Sequence, residues 1–114
     1  MDREKLLKKI DKFNDELINI RRHNHAHPEL TGLENQTANL ISGYLKKLGG
    51  RVTESVGRTG VIADFGPKDK GFIGLRVDMD ALPIYENTNL SFSSKNDGVM
   101  HACGHDLHLS LIHI

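Results

Sequence analysis

The sequence predicts an α/β fold, and a change in the spacing of its apolar residues predicts it. Through the first 48 residues apolar side chains recur every three or four positions, and from residue 51 they alternate or run together. The pair Gly49-Gly50 stands at the join, and a further helix start is expected near Asp106. Helices followed by strands and then another helix form the opening of a layered α/β arrangement rather than a closed one. A chain of 114 residues is normally one domain, able to bury roughly two thirds of its unfolded surface.

In the first segment Leu6, Leu7, Ile10, Phe13, Leu17 and Ile18 form one stripe, with Lys5, Lys8, Lys12 and Asp15 on the wet side. The pattern runs out at HNHAHPEL (23–30), where Pro28 disfavours helix for the residue before it. Thr31 and Glu34 stand in capping-box spacing ahead of a second stripe through Leu33, Thr37, Leu40, Ile41, Tyr44, Leu45 and Leu48. Gly49 supplies the left-handed stop. Residues 51–56 are a strand candidate and 57–60 a turn. Val61, Ala63 and Phe65 alternate with Ile62 and Asp64, which suits a half-buried strand. GPKDKG (66–71) is a polar connection to a more apolar run at 72–77, and the two runs so joined are expected to pair antiparallel. Residues 85–99, YENTNLSFSSKNDGV, read as a loop.

Fifteen basic residues balance fifteen acidic ones, so charge offers no argument for nucleic acid or an anionic membrane as partner. A single cysteine cannot close an internal disulfide. The start, MDREKLLKKIDKF, lacks the apolar run of a signal peptide, and no window approaches the ~20 apolar residues of a membrane span. A soluble, cytoplasmic protein is expected.

Chemistry concentrates in HACGHDLH (101–108), which holds three histidines, an aspartate and the lone cysteine. If residues 99–105 are extended, His101, Cys103 and His105 face the same way. Two of them could close on a divalent ion at ~2.0–2.3 Å. A thiolate with an imidazole selects zinc or another borderline transition ion over calcium or magnesium. Asp106 could cap the following helix or hold a ligand histidine by its second nitrogen. Spacing leaves alternatives open, because a C-x-H pair falls two ligands short of a structural zinc site. A buried cysteine beside solvated histidines is one alternative. A nucleophilic Cys–His pair is another, weakened by the lack of an orienting third group. In HNHAH (23–27), His25 and His27 are expected to satisfy backbone groups at a helix end, and His23 to be exposed. In RVDMDALPI (76–84) an apolar strand ends in Asp78 and Asp80 on one face, where ligands collect in open α/β sheets.

The stretches RRHNHAHPEL, GRTGVIADF, RVDMDALPI and GVMHACGHDLH together resemble, in order and spacing, the metal-dependent N-acyl-amino-acid amidohydrolases. That group contains hippurate hydrolases, indoleacetyl-amino-acid hydrolases and N-acetyldiaminopimelate deacetylases. The resemblance implies the N-terminal part of a zinc-peptidase-like catalytic domain, two helices and then strands of a central mixed sheet, incomplete as it stands. It makes Cys103 and His105 ligands of a centre of two divalent ions, zinc or manganese, with cobalt or nickel as further candidates. It places Asp80 on the aspartate that orients a metal ligand, and Asp78 on the position of a ligand histidine in the wider superfamily. His25 and His27 match the family's H-x-HPEL, and His108 matches a histidine without a metal role. The implied reaction is hydrolysis of the amide of an N-acyl amino acid, a small-molecule substrate. The base, from a Glu-Glu pair, the remaining ligands and a lid domain for homodimerisation are expected beyond residue 114, so these residues alone are expected to be inactive. The rival reading is a non-catalytic metal-binding module built on the Cys-x-His pair. The last six residues, LSLIHI, depart from the family's small-residue helix and coincide with the translation of a sequencing-adapter end. Residues 1–108 are therefore read as native catalytic-domain sequence and 109–114 as a non-native tail.

Overall fold

A computed structural model describes residues 2–113. In chain order it contains α1 (Arg3–Asp11), α2 (Asn14–Ala26), α3 (Asn35–Lys47), β1 (Arg51–Val56), β2 (Gly60–Asp64), a 3-10 turn (Lys68–Lys70) and α4 (His105–Leu111). The single amphipathic helix expected at the start is two, broken at Lys12 and Phe13. The Asp2 side chain caps α1 by accepting from the Glu4 N–H at 3.1 Å, but α1 buries none of its residues. Core packing begins with α2, whose buried side includes Leu17, Ile20 and Ala26. That helix ends at His27, directly before Pro28, as the ring of proline demands.

The capping of α3 differs from expectation. Glu29 reaches forward from the preceding turn, and its carboxylate accepts from the N–H groups of Gln36 and Thr37 at 3.1 and 2.8 Å and from the Thr37 hydroxyl at 2.7 Å. A carboxylate there satisfies otherwise unpaired amides and complements the helix dipole. Thr31, assigned to the cap by its spacing from Glu34, is thereby free for another partner. The helix stops at Gly49, whose φ of +84° only glycine adopts without strain. At Gly50 a Cβ would stand 2.9 Å from the Leu45 carbonyl oxygen and 2.8 Å from the Phe65 ring, so the chain can turn this tightly only without a side chain.

Strands β1 and β2 pair antiparallel, with Val52 opposite Ala63 and Thr53 opposite Ile62, and an irregularity between Thr53 and Val56. Ile41, Leu45 and Leu109 form the core, with Val52, Val61, Ala63, Val77 and Met79 packed on it. Leu109 and Ser110, at the head of the proposed non-native tail, are buried, and Ile114 at its end lies outside the described residues.

The partner expected for residues 61–65 is a second correction. β2 pairs with β1, across a turn of three residues, rather than with 72–77. The shorter loop closes at the smaller entropic cost. Residues 72–77 belong to no ladder among the described residues, and Phe72, Ile73 and Leu75 are 62, 94 and 78% exposed. An extended apolar segment with unpaired backbone is an aggregation template. The 114-residue chain is accordingly expected to self-associate, and Ile73→Lys with Leu75→Lys to suppress this in sedimentation or light scattering. Unchanged association of the double variant would refute this account.

Residues 80–82 lie between two partners. The Ala81 N–H donates to the Glu29 carbonyl at 2.8 Å, and Leu82 and Met100 exchange two bonds of 2.9 Å. These contacts bring the RVDMDALPI stretch beside both the turn after HPEL and the approach to α4.

Candidate metal centre

His105 is the first residue of α4, and its ring is held through Nδ1. That nitrogen lies 2.8 Å from the backbone oxygen of Asp80 and 3.1 Å from its Oδ1. Both partners accept, so Nδ1 carries the proton and Nε2 presents its lone pair. The other carboxylate oxygen of Asp80 accepts from the Thr31 hydroxyl at 2.6 Å. Thr31, Asp80 and His105 thus form a chain across three segments. Nothing in the sequence marked Thr31 for it, since its partner lies 49 residues away.

The Thr31 hydrogen bond is the largest influence on Asp80 and holds its carboxyl below the usual value, outweighing partial burial, with further help from His105. A depressed acid favours the folded state above its unfolded value, about 3.9, and that contribution is lost as pH falls through the lower folded value. Thr31→Val is expected to move the Asp80 titration midpoint upward in a carboxyl-carbon NMR titration. An unmoved midpoint would count against the hydroxyl as its cause.

Asp78, Asp80, His105, Thr31 and Glu34 line an open hollow of about 560 Å³, whose apolar wall includes Ile41, Leu45 and Leu109. Asp78 is exposed at this site and pairs with Arg76 at 3.1 Å. Glu34 is buried and accepts from the Thr59 hydroxyl at 2.7 Å.

The extended run from 99 to 105 is not observed. Gly104 adopts φ +79° and α4 starts immediately after it, which ends the alternation. Cys103 is exposed, whereas His101 is 4% exposed with neither ring nitrogen hydrogen-bonded. Burial, opposed chiefly by the nearby Asp106 charge, lowers the His101 pKa and favours its neutral ring. Among the described residues no three His, Cys, Asp or Glu side chains converge on one point. The Cys103 sulfur and His105 Nε2 are donors of a chemistry suited to a transition metal, and two donors are fewer than a complete site.

Asp106 neither caps α4 nor holds His105. It is 1% exposed, and its Oδ2 accepts from Arg21 Nε at 3.0 Å and His25 Nδ1 at 2.8 Å. The other nitrogen of His25 meets Glu86 Oε1 at 2.8 Å. His25 therefore bridges two carboxylates rather than backbone groups, whereas His27 accepts the expected role, with Nδ1 2.9 Å from the His23 carbonyl. Glu86 also accepts from the Thr88 hydroxyl and the Ser94 N–H, both at 2.6 Å. Burial pushes its pKa up, but these bonds and that of His25 outweigh burial and leave it lowered. The loop at 85–99 is irregular, as expected, yet tied to α2 by these bonds and by Phe92, whose ring lies 5.1 Å from the guanidinium groups of Arg21 and Arg22.

Residues 74–113 match the model of Peptidase family M20/M25/M40, and these residues contain Asp78, Asp80, Cys103 and His105. Over these residues the chain is similar to the M20 family. It is 48% identical over 105 residues to a hippurate hydrolase of Campylobacter jejuni, covering 90% of this chain and 27% of the relative. It is 47% identical over 111 residues to thermostable carboxypeptidase 1 of Saccharolobus solfataricus, covering 96% and 28%. Its structure superposes with a TM-score of 0.83 at 45% identity on the Bacillus subtilis YXEP protein, described as a dinuclear metal-binding peptidase of the M20 family, covering 90% of this chain and 29% of that one. The α/β arrangement is thus that of the corresponding part of an M20 protein. The chain spans under a third of the length of the relatives described. No helix among its described residues is long and apolar enough to cross a membrane.

Proposed function

We infer that these residues supply part of the active site of a metal-dependent amidohydrolase acting on N-acyl amino acids. The observation that carries the reading is the ring of His105, fixed through Nδ1 by Asp80 so that Nε2 is its available donor. Carboxylates and carbonyls on the second nitrogen of a metal-binding histidine set its tautomer and raise its basicity. Cys103 supplies the second donor as thiolate, from a position exposed enough to meet an ion.

A centre of two divalent ions, zinc or manganese with cobalt or nickel as further candidates, supplies when bound an activated water and a polarised carbonyl. The chain's own part is to hold and orient. Cys103 and His105 bind, Asp80 fixes the His105 ring, and Thr31 fixes Asp80. Asp78 adds negative charge beside the hollow. The glutamate that moves the proton to the departing amine belongs to sequence outside these residues. A hippurate hydrolase and a carboxypeptidase both cleave an amide whose nitrogen belongs to an amino acid with a free carboxylate, and that shared bond is the substrate class assigned here. We further read the complete protein as cytoplasmic and homodimeric. A self-sufficient metal module is the weaker reading, because it would require three or four ligands from these residues alone.

The complete gene product is expected to release amino acid from hippuryl or N-acetyl amino acids. Chelation should reduce the rate by at least about 100-fold, as expected when several kcal/mol of metal assistance is lost, and zinc or manganese should restore it. Hydrolysis indifferent to chelator, or none on either substrate, would overturn the reading.

A further inference from the structure

We propose that His25 is a positioning residue for the candidate ligand His105, acting through Asp106. The inference rests on the metal-centre reading above and adds to it a second support, through the residue next to His105. Helix α4 begins directly at the candidate ligand His105. It has no side-chain cap, and a Cβ at Gly104 would meet nothing within 4 Å, so no steric clamp sets the direction in which the helix leaves the turn. That direction is set by the core packing of Leu109 further along the helix and, next to His105 itself, by what the first turn touches.

Its buried contact is Asp106, the residue after His105. A single oxygen of Asp106 takes donors from both Arg21 and His25, which stand four residues apart on one face of α2. Arg21 is one-third exposed, whereas His25 is 3% exposed. His25 is therefore the better-defined anchor. Its second nitrogen is fixed in turn by Glu86, itself tied down by Ser94 and Thr88. A path of hydrogen bonds thus runs from the loop at 85–99 through His25 to the backbone that carries His105.

The two nitrogens of His25 make separable tests. Asparagine places its amide nitrogen near the Nδ1 position and can still donate to Asp106. Glutamine places its amide nitrogen near the Nε2 position and can still donate to Glu86. Both substitutions remove the ring and any charge on it, and each strands one buried carboxylate, so a purely structural role predicts similar losses. Positioning through Asp106 predicts that His25→Gln weakens Zn(II) affinity about 10–100-fold, the usual effect of losing a ligand's support. His25→Asn should stay within about threefold of wild type on the same basis. The measurement is Zn(II) competition against a chromophoric chelator, using the complete gene product, with thermal midpoints recorded alongside. Equal losses in the two variants, or no loss in a folded His25→Gln protein, would overturn the proposal. Cys103→Ala and His105→Ala serve as references. If neither weakens Zn(II) binding, the metal-centre reading itself fails and takes this inference with it.

Discussion

His105→Ala in the complete gene product is expected to lower kcat/KM on an N-acyl amino acid by roughly 10²–10⁴-fold, the equivalent of the several kcal/mol a metal centre contributes. The fold should tolerate the change. The side chain is 21% exposed and its bonds lie at the edge of the hollow, so little core packing is lost. Cys103→Ala should produce a loss of the same order with even less effect on folding, since Cys103 is exposed. Asp80→Ala should fall between wild type and these variants, at about 10–100-fold, because it loosens a ligand without removing one. Steady-state kinetics with metal content measured on each protein checks the series. A His105→Ala enzyme that keeps its metal and its rate would remove His105 from the centre.

Asp106→Ala should produce the largest loss of stability of any single polar substitution considered, about 3–5 kcal/mol, the range for breaking a buried ion pair from one side. It leaves the His25 ring facing Glu86 alone and deprives Arg21 of its acceptor, while the space once filled by a carboxylate is shut off from water by α2 and α4. Asp106→Asn should cost less, because its amide oxygen can still accept one of the two donors. Urea unfolding of the complete gene product measures both. A double-mutant cycle with His25→Ala should show coupling well above the few tenths of a kcal/mol expected for independent sites. A cost below about 1 kcal/mol for Asp106→Ala would place it in the class of exposed ion pairs and contradict its burial.

Much of this chain was legible before its structure. The stripe through Thr37, Ile41 and Leu45 forecast the buried side of α3, and Gly49 forecast the left-handed stop. The alternation at 61–65 forecast β2. The pairing of Cys103 with His105 as donors, and of Asp80 with a ligand, came from motif resemblance. The structure sets Asp80 against His105, and the chemical roles are what the kinetic series tests. The misreadings share a cause. Thr31 had correct capping spacing, but Glu29 reached the amides first. The extended register assumed for 99–105 ignored that Gly104, free to take φ +79°, also lets a helix begin at His105. His25 was assigned to backbone groups because carboxylates 61 and 81 residues away leave no trace in its neighbourhood.

Local spacing was enough to foresee α3, its glycine stop, β2 and a helix start near Asp106. These features depend on side-chain spacing and backbone preference within a few residues. Which acid serves which histidine is set by packing between distant segments. Asp80 goes to His105 and Asp106 to His25, although Asp106 is the immediate neighbour of His105. The reason is geometric: successive residues on a helix point about 100° apart. Adjacency in the chain therefore separates Asp106 from the ring beside it, and the packing of α4 on α2 delivers it to a partner far away in sequence.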